Sequence, residues 1–239
     1  MSTRSRPKVS AVLTRWMFGT ALISWRYLWE TTPLHRVERE GGGVEDLPPR
    51  LPAETLDDTV QLASDGVGPL FHRRFWVRIV EARLTAHQLM ARVVSDFKHF
   101  VPSEVVAVRS SRVVGDTLQV GDELVVEMPG PWDGPVRVVH VDDACLRLAT
   151  LRGHLEAGQV QFRAHHTGDT VIFEIEVWAR PGTLLVHLLY SHLRLAKEMQ
   201  LNMWVRFCLA AATTAGGRPA DGVHIRTHRV GARDSEPCA

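Results

Sequence analysis

A histidine and a glutamate two residues apart, held between glycines in the stretch GHLEAGQVQF (153–162), are the best-spaced pair in this chain for chemistry. Residues two apart in an extended segment share a face. His154 and Glu156 could therefore hold one polar ligand group together or transfer protons as an acid–base pair. The plainer alternative is a tight turn feeding a strand. Gly153 and Gly158 permit a positive φ, and Gln159, Gln161 and Arg163 alternate with Val160, Phe162 and Ala164 as a half-buried strand requires. In that reading His154 and Glu156 only hydrogen-bond the backbone of the turn. A metal site needs three or four converging ligands, and only His165 and His166 stand nearby, facing opposite ways, so no metal is expected.

A second candidate for proton transfer is His192, the one polar residue on the apolar stripe of a long helix. Its ordinary pKa lies near neutrality, which suits a general base, although a lone histidine there also fits a satisfied core position. The chain carries no nucleophile elbow, phosphate-binding glycine loop, HExxH or CxxC, so no cofactor is expected.

The elements that must position these residues are legible from periodicity. FHRRFWVRIV (71–80) places Phe71, Phe75, Val77 and Ile79 on one face of a strand, with Arg73, Arg74 and Arg78 read as solvated. Thr85 and Gln88 have capping-box spacing at the head of a helix that carries Leu89, Val93 and Phe97. From Val105 to Ala179 short alternating runs are separated by turn residues, the pattern of a meandering antiparallel sheet. In its last run, Glu174, Glu176 and Trp178 are expected to face outward.

Thr183 to Thr214 contains no Gly or Pro and stops at Gly216–Gly217. A helix of that span is about 48 Å long. One stripe collects Leu185, Leu188, Leu189, His192, Ala196, Met199, Met203, Phe207 and Ala210, and the opposite side collects His187, Arg194, Glu198 and Asn202.

Strand, helical turns, about six strands and a long amphipathic helix give an α+β helix-grip architecture. A curved antiparallel sheet of six to seven strands wraps around the C-terminal helix, with an elongated apolar cavity between them. The sheet side of that cavity would be lined by Phe75, Val77, Phe162, Phe173 and Ile175. Phe97 would close one end, Leu189, His192, Met199 and Met203 would come from the helix, and His154 and Glu156 would stand at the mouth. Phe97, Phe162 and Phe207 are large enough to fill the space instead.

ATLRGHLEAGQVQF (149–162) followed by FEIEVWARPG (173–182) and a long helix resembles a YndJ-like family of bacterial domains of unknown function, from about Phe71 to Ala215. Thr150, Gly153, His154, Glu156, Gly158, Phe162, Arg180 and Pro181 match that family's pattern. Gln159 stands where the family usually has Glu, and Leu155 where it often has Pro. The family is similar to the SRPBCC group of START and polyketide-cyclase ligand-binding proteins. The resemblance implies the helix-grip fold and assigns no reaction. The loss of Glu at 159 weakens any paired-carboxylate chemistry.

Outside that domain, residues 1–66 read as an N-terminal extension and 216–239 as a disordered tail. The extension holds an aromatic-rich helix (11–29) and a Gly/Pro linker (40–54). The apolar core from Trp16 to Trp25 is about half of what a membrane span needs. Residues 11–29 thus either dock on the domain or a second copy, or lie in a membrane interface through Trp16, Trp25 and Trp29.

A chain of 239 residues with 45% hydrophobic and 23% charged content can bury a sizeable core, and its net charge of +1 gives no reason to expect nucleic acid. Three scattered cysteines, Cys145, Cys208 and Cys238, suit a reducing cytoplasm. Three functions follow as alternatives: a module binding a small lipid-like or aromatic molecule, the favoured one; a cyclase- or isomerase-type enzyme using His192 or His154 and Glu156; and a peripheral membrane or scaffold protein acting through residues 11–29.

Overall fold

The alternation at 71–80 becomes the strand on which the rest of the sheet is built. A computed structural model describes residues 33–101, 107–110, 117–127, 133–183 and 195–231 of the chain. In it, β2 (Leu70–Val80) lies between β8 (Thr170–Pro181) and β9 (Arg218–Val230). Beyond β8 follow β7 (Glu156–Thr167), β6 (Cys145–Thr150), β5 (Asp133–Val141), β4 (Glu123–Glu127) and β3 (Ala107–Ser110). These neighbours are all antiparallel. On the far side β1 (Leu34–Glu40) adds to β9 in parallel, so one sheet has nine strands.

The fold is the helix-grip arrangement: a curved sheet holding the C-terminal helix. The helix that fills the concave side, α3 (Leu195–Thr214), is about 30 Å long over its described 20 residues and packs on β2, β8 and β9. Two shorter helices, α1 (Ala86–Ser95) and α2 (Phe97–Phe100), cover it from the other side. The α1 start is a capping box: Gln88 N–H donates to Thr85 Oγ1 (3.2 Å) and Thr85 N–H to Gln88 Oε1 (2.9 Å).

Because α3 is enclosed from two sides, its buried surface is broader than the single stripe drawn from helical spacing, and it is turned relative to it. Leu201, Trp204, Val205, Phe207, Cys208, Ala211 and Ala212 are buried, whereas Met203 and Ala210 are half-buried. Asn202, expected on the outer side, is buried. Burial raises the pKa of the Cys208 and Cys145 thiols, which leaves both inert as nucleophiles.

The seven strands β2 to β8 are the six to seven expected of the domain, and β1 and β9 from its flanks extend the sheet to nine among the described residues. Two expectations are corrected. Residues 218–230 are not a disordered tail: Val223 and Ile225 face inward, Val230 packs with Leu70 and Trp178 on the convex face, and the β9 backbone pairs with both β1 and β2. Alternating Val223, Ile225 and Thr227 carried that signal, masked by the Gly, Pro, His and Arg between them. The stretch 40–54 is not a free linker either. Asp46 is buried, and Gln159 Nε2 donates to Pro49 O at 2.7 Å. The aromatic segment 11–29 with Trp16, Trp25 and Trp29 lies outside the described residues.

Two outcomes are expected. Truncation after Gly217 removes β9, uncovers Phe75 and Val77, and abolishes the cooperative unfolding transition in circular dichroism; a truly disordered tail would leave that transition unchanged. Phe207→Ala lowers the unfolding free energy by about 3–5 kcal/mol, read from the urea midpoint.

Candidate functional site

The GHLEAGQVQF turn is built by close approaches that only its residue types allow. Gly153 has φ +98, and a Cβ on Gly158, at φ +155, would stand 1.9 Å from Trp178 O. The Thr150 hydroxyl accepts from Gly158 N–H (2.9 Å) and lies 2.9 Å from Gln61 O, closing the turn onto the segment that precedes β2. His154 Nδ1 accepts from Glu156 N–H at 2.9 Å, and its ring lies against Gly134. Burial holds that ring's pKa below the ordinary histidine value, so His154 is neutral and its Nδ1 is occupied by the turn.

The Glu156 carboxylate goes elsewhere. It is buried against α3, where Oε2 accepts from Gln200 Nε2 at 2.6 Å. Gln200 Oε1 in turn accepts from Arg73 Nη1 at 2.7 Å, and Arg73 Nη1 stands 3.6 Å from Glu156 Oε1. The structure thus parts the expected acid–base pair: His154 serves the turn and Glu156 serves the interior. Arg73, read from sequence as solvated, is 1% exposed. The period of β2 places it on the same face as Phe75, Val77 and Ile79, a signal available in the sequence. Gln200 had no such signal, because it becomes a partner only once α3 is docked.

A buried ion pair is costly to desolvate and is held only where further hydrogen bonds satisfy it. Here the satisfaction is incomplete. Among the described residues Arg73 Nε has no hydrogen-bond partner, nor do Thr227 Oγ1 and Trp204 Nε1, and all three atoms are buried. Thr227 is the register partner of Arg73 across β2 and β9, and Trp204 lies one helical turn beyond Gln200 on α3. Two unused donors thus lie side by side on β2 and β9, and a third on α3.

Next to this polar group the interior is filled by rings. Phe97, Phe162, Phe173 and Phe207 are buried, with centroids of Phe162 and Phe207 at 4.9 Å, Phe97 and Phe162 at 5.4 Å, and Phe173 and Phe207 at 5.8 Å. Phe75, Val77 and Ile175 are packed in the same core, and Met203 lies half-buried against it. These rings take up part of the apolar space between the sheet and α3. Leu189 and His192 lie outside the described residues; Met199 falls on α3, with its side chain outside them.

The convex face of the sheet carries a separate network. Glu174, expected to face outward, does so but is buried beneath Arg74 and Arg163, both of which donate to its carboxylate. Arg163 also reaches Glu176 at 3.2 Å. His72 on the same face stacks on Trp178 at 5.0 Å.

Residues 70–210 match a family described as a domain of unknown function (DUF1990). No curated protein matches the chain. Among solved structures, a Thermobifida fusca protein is 15% identical, covering 61% of this chain and 93% of its own with a TM-score of 0.43. Norcoclaurine synthase of Thalictrum flavum, in complex with dopamine and hydroxybenzaldehyde, is 13% identical over 64% of this chain and 88% of its own, with a TM-score of 0.39. Major latex-like protein 151 of Panax ginseng is 10% identical over 55% and 94%, with a TM-score of 0.37. Among the described residues, no helix is long and apolar enough to cross a membrane.

The neutral state of His154 has a testable consequence. Its pKa is lower in the folded chain than the ordinary 6.5, so its contribution is complete above about pH 6.5 and is lost as pH falls towards the depressed value. His154→Asn retains an acceptor for Glu156 N–H without a titrating ring. Between pH 7 and pH 5 the wild-type melting temperature is expected to fall more than that of His154→Asn; parallel curves would remove the assignment.

Proposed function

The chain belongs to the family described as a domain of unknown function (DUF1990), and on that footing we propose that it is a binding module for a small hydrophobic molecule. The molecule lies between the sheet and α3, with its apolar body beside the aromatic cluster and an acceptor group, such as a carboxylate or carbonyl, towards Arg73.

The observation that carries this reading is the set of buried donors left unused beside an ion pair. Arg73 Nε, Thr227 Oγ1 and Trp204 Nε1 each lack a partner among the described residues on the inner side of the fold. An unsatisfied buried donor costs about 1–3 kcal/mol. A ligand oxygen among them would remove that cost. Small-molecule sites have this composition: mostly apolar walls with a few placed polar groups. The apolar walls here are Phe162, Trp204 and the residues around them.

Thr227→Val separates a ligand role from a structural one, since it deletes an unused donor while keeping shape, and Trp204→Phe deletes a second donor at the cost of a smaller ring. Without ligand, Thr227→Val is expected to be as stable as the wild type or more so, and Trp204→Phe less stable by the core volume it loses. Native mass spectrometry of protein from its own host is expected to show a bound small molecule in the wild type and about tenfold lower retention in each variant, as one lost hydrogen bond implies. Absence of any bound molecule in the wild type, or unchanged retention in both variants, would overturn the reading. Arg73 is unsuited to this test, because leaving Glu156 unpaired costs about 3–5 kcal/mol of stability by itself.

A further inference from the structure

Three residues far apart in the sequence meet on the convex face, on the side of the sheet away from the interior just described. Asp46, in the 3-10 turn Val44–Asp46, is 3% exposed. His72 on β2 and His228 on β9 are register partners, so their rings share that face. Both aim the same ring atom at the same oxygen: His72 Nδ1 stands 2.8 Å and His228 Nδ1 2.6 Å from Asp46 Oδ1. All three ligand atoms lie within 4.8 Å of one another.

The surroundings hold each group in place. Asp46 Oδ2 accepts from Gly43 N–H at 3.0 Å, which leaves Oδ1 as the free-facing oxygen. The His72 ring is clamped flat on Trp178, with 6° between the planes. Its other nitrogen, Nε2, faces Glu176 Oε1 at 3.4 Å. Between two carboxylates His72 has two satisfied states, an imidazolium donating from both nitrogens or a neutral ring bound to a cation. A neutral His72 donating from Nδ1 to Asp46 would turn the Nε2 lone pair towards a second carboxylate, an unfavourable contact. A neutral His72 ligating a cation through Nδ1 would instead carry its proton on Nε2 and donate it to Glu176. Carboxylate–histidine–metal relays have this arrangement.

From these contacts we propose that Asp46, His72 and His228 form a site for a divalent transition-metal ion of the zinc type, with Glu176 orienting His72. Two imidazoles and one carboxylate form a borderline donor set that suits zinc better than magnesium or calcium. With bonds of about 2.0–2.1 Å, tetrahedral ligand atoms stand about 3.4 Å apart, so the two rings need to retreat from Asp46 by well under 1 Å each. Three protein ligands leave one position for water. Arg163 already offsets the charge of Glu176, and the Asp46 carboxylate remains to meet the cation. The site joins the turn at residue 46, β2 and β9, so its effect is to tie both flanks of the chain to the domain.

The test uses the full chain freed of metal with a chelator, then titrated with Co2+ alone and followed by its visible tetrahedral absorption. One equivalent is expected to bind and to raise the melting temperature, with Zn2+ displacing it. His228→Gln is expected to weaken Co2+ binding by more than about 100-fold, and Glu176→Gln by about 10- to 100-fold as a residue acting through His72. The chain has 12 histidines, so binding that survives unchanged in His228→Gln would place the metal elsewhere and overturn the proposal. So would a wild-type chain that binds no equivalent of Co2+ or Zn2+, with His72 then held as an imidazolium between its two carboxylates. Should His228→Gln fail to fold, the wild-type stoichiometry and the Glu176→Gln affinity decide the matter.

Discussion

Everything inside the sheet depends on the ring of Phe207. It is fully buried and meets Phe97, Phe100, Phe162, Phe173 and Trp204, with centroid separations between 4.9 and 6.3 Å. Those partners come from α2, β7, β8 and α3 itself, so one side chain reads out whether four elements are in place. Aromatic contacts of this kind are directional as well as apolar. The curvature of the sheet, the docking of α2 and the rotation of α3 about its axis are therefore not independent. A change in any one of them moves the ring against the other three.

That constraint explains why polar groups sit where they do. Beside the aromatic core, Arg73, Glu156 and Gln200 gather where α3 meets β2 and the first residue of β7. The charges are paired and bridged through Gln200, as a buried pair must be. The convex face solves the same problem differently. Glu174 is buried there only because Arg74 and Arg163 lie over it, at 37% and 43% side-chain exposure, so those cations shield it while remaining hydrated themselves. One face holds its charges under a helix and the other under its own side chains.

How far the sequence reaches into this arrangement depends on the distance between the residues involved. Patterns of period two and 3.6 located β2, the meander from β3 to β8, α1 with its Thr85 cap, and α3, because those signals are local. The turn at Gly153 to Gly158 was legible for the same reason. The rotation of α3 was not, since helical spacing fixes which residues share a face but not which face meets the sheet. Nor was β9: its apolar residues are interleaved with histidines and arginines that make the stretch read as polar, and pairing with β1 and β2 supplies what composition does not. The candidate site divides along the same line. Arg73 was visible in the alternation of β2 and was passed over because arginine is usually solvated. Gln200 and Thr227 acquire their roles only through packing between elements distant in sequence.

The flanks deserve the same physical reasoning, because they lie outside residues 70–210 and yet complete the sheet. Without β9, β2 would be an edge, presenting a row of unpaired backbone groups beside the apolar core. β9 covers that edge along ten registered pairs, from Leu70–Val230 to Val80–Arg218. It becomes nearly an edge itself, and β1, exposed and rich in Arg, Glu and His, takes over that position. Charged side chains on a terminal strand discourage pairing with another molecule. The order β1–β9–β2 therefore passes from a polar outer strand, through an amphipathic one, to a buried one. Asp46 sits where the chain leaves β1 and touches both β2 and β9 through His72 and His228. A contact at that point links the three strands of this gradient to the turn that precedes the domain, and it does so on the face that the aromatic core cannot reach.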